Sequence, residues 1–281
     1  MSDPKLPPAK VIAEFRISSP TFVVETAIAN IWKVRREDGQ YAALKVYKKK
    51  NMGNESAGFS FLGALDGSAS ARIFKYTRTT ALIEWLSGPS LGDLSRTGQD
   101  RQAAKELVAV AKGIHYVSLP LSFKLPKLEC WFKALFLIDI SSQCPMPARL
   151  NVLRSQELAR ELLSDQHDIR PLHGDLHHDN ILLGDRGYCA FDAKGVLGER
   201  AYELANAFRN PKGAETLVRD PERVRYQNRF WSEQFDVDQR RLLQWATVKC
   251  ALSIAWRTEG KLTFDPEFDL LDVFFSILDD D

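Results

Sequence analysis

A chain of 281 residues with 38 Lys and Arg against 37 Asp and Glu has no basic excess with which to grip nucleic acid or an acidic membrane. Its 44% apolar and 27% charged residues suit a soluble globular protein, and no run of about 18 apolar residues offers a membrane span. Cys130, Cys144, Cys189 and Cys250 are scattered without a C-x-x-C pair, which argues against a zinc ribbon or disulfide framework and fits reduced thiols in the cytoplasm. Met1 to Lys10 is Pro- and Lys-rich and lacks the apolar run of a secretory signal. The length suits two lobes sharing a cleft and sets no oligomeric state.

Thr21-Phe22-Val23-Val24-Glu25 and Ile31-Trp32-Lys33-Val34 read as strands around Thr26 to Asn30, and the Glu37-Asp38-Gly39 turn leads into a third strand, Tyr41 to Tyr47. Lys45 has apolar flanks, unlike the solvated Lys48-Lys49-Lys50 run. Asn54 offers a cap for a helix in which Glu55, Phe59, Leu62 and Leu65 recur at helical spacing. Two more strands, Ala71 to Tyr76 and Thr79 to Glu84, run into Glu84-Trp85-Leu86-Ser87-Gly88-Pro89, the punctuation of a hinge. The expected domain boundary falls there, between an N-terminal lobe of residues 1–86 with an antiparallel sheet plus one helix, and a larger, mainly helical lobe of residues 87–281. Helical periodicity covers Arg101 to Val117, Lys127 to Ile140 and Arg149 to Ser164, with Pro145 and Pro147 separating the last two. Trp131 and Phe132, with Ala134-Leu135-Phe136, are expected in the core between these helices, the alternative being an aromatic cage.

The chemistry lies in Leu172-His173-Gly174-Asp175-Leu176-His177-His178-Asp179-Asn180-Ile181-Leu182-Leu183 and the hairpin that ends at Phe191-Asp192. Phosphoryl transfer needs a group that orients the attacking hydroxyl and oxygen ligands that hold Mg²⁺ against the nucleotide phosphates. Asp175 fits the first role; Asn180 and Asp192 fit the second. Their spacing matches H-R-D-x-x-x-x-N with Gly174 in place of Arg. Ala43-Leu44-Lys45-Val46 echoes the V-A-I-K strand, whose Lys pairs with phosphates and with a helix Glu, here Glu55. A Glu in a first helical turn can instead serve only the helix dipole. The histidines lack zinc-chelating spacing, and His173 is read as a brace for the loop. His177 either donates a hydrogen bond to the transferring phosphate or lines the loop. Only Ala193 to Arg200 separate Asp192 from the helical pattern starting at Ala201, too little for a peptide-docking activation segment, so a small acceptor is expected. Pro221 to Gln234 and Asp238 to Glu259 read as the remaining helices.

His173-Gly174-Asp175-x-x-x-x-Asn180 with Asp192 downstream resembles the aminoglycoside phosphotransferase family of small-molecule kinases. Phe191-Asp192-Ala193-Lys194-Gly195-Val196-Leu197-Gly198-Glu199 is similar to its streptomycin 6-kinase and hydroxyurea kinase branch, with Ala193 where that branch has Pro. Leu252-Ser253-Ile254-Ala255-Trp256 and Glu259-Gly260 extend the resemblance, which runs from Thr21 to Gly260. The resemblance implies a protein-kinase-like, two-lobed α+β fold, ATP and Mg²⁺ as cofactors, and transfer of the γ-phosphate to a hydroxyl of a small molecule such as streptomycin or hydroxyurea. It also implies main-chain contacts of Glu84 and Leu86 with the adenine edge. In place of a glycine-rich loop it implies that the Thr26 hydroxyl and nearby amides meet the phosphates, the alternative being a hairpin without ligand contact. Glu203 stands where related kinases have a loop-bracing Asp; Lys194 and Gly195 match the branch, with no role legible from spacing. The acidic tail makes Glu259, Asp265 and Glu267 candidates for contact with a cationic acceptor, or else a solvated surface. A kinase of a sugar or amino alcohol shares every motif, and a non-catalytic nucleotide-binding module is the other alternative.

Overall fold

The structure, a computed structural model, describes residues 6–53, 55–119 and 124–280. Asn54, the expected helix cap, and Asp281 lie outside the described residues. Helix α1 (Ala9–Phe15) leads into strands β1 (Ser18–Glu25), β2 (Ala29–Arg35) and β3 (Tyr41–Tyr47). Helix α2 (Glu55–Leu65) is followed by β4 (Ile73–Tyr76) and β5 (Thr80–Glu84). The five strands form one antiparallel sheet in the order β1-β2-β3-β5-β4. Alternation divides β3: Ala42 and Leu44 are buried with Trp32, Val34 and Leu82 on one face, so Ala43 and Lys45 face the cleft on the other. The Pro- and Lys-rich start does not announce α1. Its Phe15, with Ile17 just beyond, completes the buried face of the sheet, which would otherwise expose apolar surface to water.

Beyond Glu84 the chain is mainly helical: α3 (Leu91–Arg96) with a Ser90–Asp93 capping box, α4 (Asp100–Tyr116), α5 (Leu128–Phe136), the short strand β6 (Asp139–Ile140) and α6 (Met146–Ser164). Strand β7 (Ile169–Leu172), a 3-10 turn (His178–Asn180), β8 (Ile181–Gly184), β9 (Gly187–Ala190) and β10 (Val196–Glu199) carry the loop that holds Asp175 and the hairpin before Asp192. Antiparallel pairing joins β7 to β10 and β8 to β9. A 3-10 helix (Arg200–Arg209) leads to α7 (Glu215–Val218), α8 (Pro221–Phe235), α9 (Gln239–Arg257), β11 (Lys261–Leu262) and α10 (Phe268–Asp280).

The helix expected to reach Ile140 stops at Phe136, because Asp139 and Ile140 pair in parallel with Lys261 and Leu262. The acidic tail is not merely surface. In α10, Leu271, Phe274, Phe275 and Leu278 are buried against the other helices, while Asp272, Asp279 and Asp280 bond Asn151, Arg154 and Arg225. One core joins these helices to Phe61, Leu62 and Leu65 of α2, so that helix is anchored in the helical part of the molecule as well as beneath the sheet. Among the described residues, no helix is long and apolar enough to cross a membrane.

Candidate active site

The loop after β7 is held from below by a buried carboxylate. Glu203 accepts the main-chain N–H of His173 at 3.0 Å and of Gly174 at 3.3 Å, and meets His115 Nε2 at 3.0 Å. Burial alone would raise Glu203, but His115 and the His173 amide outweigh it and hold the carboxyl below its usual range. His173 is braced from both ring nitrogens: Nδ1 accepts from Asp175 N–H at 3.3 Å, so Nε2 donates to the Phe191 carbonyl at 3.0 Å. That bond couples the loop to the residue before Asp192. His177 Nδ1 accepts from Asp179 N–H at 3.2 Å, which leaves Nε2–H as the only donor of a neutral ring.

Burial pushes His177 down to about 4 and lowers His173 and His178 as well. A histidine whose folded pKa lies below its unfolded value takes up protons on unfolding. Its stability contribution is therefore complete above about pH 6.5 and declines as pH falls from there toward the folded value. His177 alone is expected to cost about 2 kcal/mol by about pH 5. Denaturation curves at several pH values check this: loss should begin near pH 6.5, before the depressed carboxylates Glu203 and Asp192 contribute. A profile flat to about pH 5 would contradict it.

The Asp175 carboxylate is fixed by two amides. Asn206 Nδ2 donates to Oδ1 at 2.8 Å; Asn180 Nδ2 donates to Oδ2 at 3.3 Å and to the Asp175 carbonyl at 2.9 Å. Asn206 is itself held by Arg209, whose guanidinium pairs with Glu267 at 2.7 Å. Arg257 then bridges Glu267 and Asp265, at 2.8 and 2.7 Å. Asn206→Ala removes one donor to Asp175 and is expected to lower kcat by roughly 10- to 100-fold with the nucleotide KM unchanged. Steady-state kinetics with the nucleotide varied provide the check, and an unchanged kcat would deny Asn206 an orienting role.

Asp192 lies opposite, in the left-handed region at φ 59°, a conformation Asp tolerates better than most residues. Its Oδ1 meets Lys45 Nζ at 3.0 Å and its Oδ2 meets Lys194 Nζ at 3.2 Å. Glu55 binds the same two amines, Lys45 at 2.7 Å and Lys194 at 3.2 Å, and accepts the Tyr47 hydroxyl. Burial would raise Asp192, yet the two lysines hold it at about 2.

Lys45, Glu55 and Asp192 form one end of a cavity of about 500 Å³ between the sheet and the helical lobe. Val24, Ile31 and Ala43 line it above; Leu182 lies below. Glu84 and Leu86 stand at its edge. The Glu84 side chain is committed to Arg186 at 2.5 Å and to the Arg72 amide at 3.0 Å, and its own N–H donates to the Arg72 carbonyl. Thr26 also lines the cavity; its hydroxyl donates to the Ala29 carbonyl at 2.9 Å and accepts the Ala29 N–H at 3.0 Å, closing the β1–β2 turn.

A family model described as aminoglycoside/hydroxyurea antibiotic resistance kinase matches residues 15–260. The chain belongs to this family. It is 33% identical over 226 residues to the streptomycin 3''-kinase of Klebsiella pneumoniae, covering 79% of this chain and 81% of the other. It is 25% identical to the streptomycin 6-kinase of Streptomyces griseus, across 82% of this chain and 75% of that one. Amicoumacin kinase hAmiN, solved with AMP-PNP and Ca²⁺, is similar in fold, with a TM-score of 0.59 at 14% identity over 93% of this chain and 88% of that one. This family member is a phosphotransferase acting on hydroxyl groups, of the antibiotic-resistance class, and has the two-lobed kinase-like fold.

In this kinase, three of the contacts just described escape sequence reading. Asn206, His115 and Lys194 lie 31, 88 and 2 positions from their partners Asp175, Glu203 and Asp192, at spacings that imply no contact. Lys194 alone carries a signal in the sequence, since it follows Asp192 in the run that resembles the branch. Lys249, also unremarked, is buried in α9 and donates to Ser253 at 2.9 Å, with burial and then Arg209 lowering it to about 7. Of the tail carboxylates, Glu259 is exposed, whereas Asp265 and Glu267 are taken by arginines.

Proposed function

We propose that this kinase transfers the γ-phosphate of Mg²⁺-bound ATP to a hydroxyl of a streptomycin-type aminoglycoside in the cytoplasm. The observation that carries this reading is the Asp175 carboxylate held by Asn180 and Asn206 beside the Lys45–Glu55–Asp192 cluster, in a family member whose relatives are named as streptomycin kinases. Asn180 spends its amide nitrogen on Asp175, so its oxygen is the end left for a metal. That oxygen and the Asp192 carboxylate are hard donors, and Mg²⁺ completes its shell with phosphate oxygens and waters, so the residues fit the ion. Bound there, the ion would neutralise phosphate charge.

Asp175 then orients the attacking hydroxyl, and Lys45 turns toward the phosphates. The apolar walls of the cavity suit the adenine, with Glu84 and Leu86 offering main-chain groups at its edge. Because the Glu84 N–H is already bonded, its carbonyl is the group we assign. Thr26 shapes a turn whose backbone faces the phosphates, and neutral His177 offers only Nε2–H. We place the lobe boundary at Leu86. Of the tail carboxylates, exposed Glu259 would meet a cationic acceptor directly, while Asp265 and Glu267 act through Arg257 and Arg209. No oligomer or nucleic acid is needed for this chemistry.

ADP release from Mg-ATP, with mass detection of product across streptomycin, other aminoglycosides, hydroxyurea, choline and common sugars, tests the proposal. A phosphorylated aminoglycoside supports it. Turnover confined to choline or sugars would move the acceptor to metabolism.

A further inference from the structure

Lys194 ties three parts of this kinase together. Its main-chain N–H and that of Gly195 donate to the His173 carbonyl at 2.9 and 3.1 Å. Its amine donates to Glu55 Oε1 and Asp192 Oδ2, each at 3.2 Å, while Lys45 takes the other oxygen of each carboxylate. Two cations and two anions close a ring. Its backing is tight: a Cβ at Gly58 would lie 1.7 Å from the Ala193 carbonyl oxygen, and one at Gly195, φ +67°, would lie 2.6 Å from that of Ala57. Helix α2 therefore meets the segment after Asp192 backbone to backbone.

Charge decides what the second lysine does. Glu55 is only 4% exposed, and a buried carboxylate stripped of its cation is strongly unfavourable. When Lys45 reaches toward nucleotide phosphates its charge is shared between them and Glu55, and the Tyr47 hydroxyl on Glu55 carries no charge to make up the difference. We propose that Lys194 is a positioning residue for the metal-bound nucleotide, keeping Glu55 and Asp192 paired while Lys45 engages the phosphates and holding the Asp192 carboxylate toward the metal. This rests on the function proposed above.

The test uses the full chain with Lys194→Met and Lys194→Arg. A fluorescent ATP analogue is titrated with and without Mg²⁺, alongside melting temperature and steady-state kinetics. Lys194→Met is expected to lose roughly tenfold in Mg²⁺-bound affinity, more than the loss in metal-free binding that removal of one positive charge brings, with kcat reduced and acceptor KM unchanged. Lys194→Arg, which keeps the charge, should recover most of the affinity even where both variants melt lower. Lys194 also lines a second cleft with Ser56, Ser60, Lys124 and Trp131. A change in acceptor KM alone would assign it to that cleft and overturn the inference, as would wild-type Mg²⁺-dependent affinity in Lys194→Met or equal loss in both variants. Absence of nucleotide binding by the unmodified chain would instead overturn the parent proposal.

Discussion

Asp175→Asn is expected to lower kcat by roughly 10²- to 10⁴-fold while leaving Mg-ATP affinity close to that of the unmodified chain. In the proposed reaction the carboxylate accepts the incoming hydroxyl proton, and an amide of equal size cannot take that role. Both carboxylate oxygens are committed to amide donors, Asn206 on Oδ1 and Asn180 on Oδ2. The new amide nitrogen must therefore face one of those donors, at a stability cost of about 1 kcal/mol. Nucleotide binding should survive, since Asp175 does not line the cavity that Lys45, Glu55 and Asp192 close. Single-turnover and steady-state rates with streptomycin, set beside the dissociation constant of a nucleotide analogue, separate the two effects. Turnover equal to the parent would remove Asp175 from the chemistry, and equal loss of nucleotide affinity would show a collapsed site.

The parts of the site that could be read from the chain are those in which chemistry imposes local spacing. Asp175 and Asn180 share one loop, in which the Asn180 amide reaches back to Asp175, and Asp192 follows the hairpin that begins directly after Asn180. The strand carrying Lys45 was legible because alternation gives one apolar face to the core and the other to the cleft. Contacts made across the fold leave no such trace. Asn206 reaches Asp175 from a 3-10 helix, and His115 reaches Glu203 from α4, positions that only the packed core relates. The C-terminal carboxylates show the opposite failure. Composition counts Asp265 and Glu267 as free negative charge, whereas Arg257 and Arg209 neutralise them and relay their position to Asn206. In α10 the acidic residues mask an apolar stripe, Leu271, Phe274, Phe275 and Leu278, that already has helical spacing. Helix α1 and the β6–β11 pair are too short to stand without the surfaces they cover.

Asp192→Ala is expected to abolish most of the advantage that Mg²⁺ gives to nucleotide binding and to leave kcat near background, because one of the two proposed metal ligands is gone. The electrostatics make a sharper statement than simple loss. Asp192 is the carboxylate that both lysines share with Glu55, held ionised by them. Without it, Lys45 and Lys194 face Glu55 alone, and the pocket gains one unit of positive charge beside the site of the phosphates. Metal-free ATP, which carries more negative charge than Mg-ATP, should then bind as well as or better than it does to the parent chain, in line with charge complementarity. Isothermal titration of ATP with and without Mg²⁺ reads both changes together, and raising ionic strength should erode the metal-free gain. The result that would sink the assignment is an unchanged Mg²⁺ dependence. Loss of both metal-free and metal-bound affinity would instead show that Asp192 holds the lysine ring in place, since removing one partner of a buried charge network can displace the others.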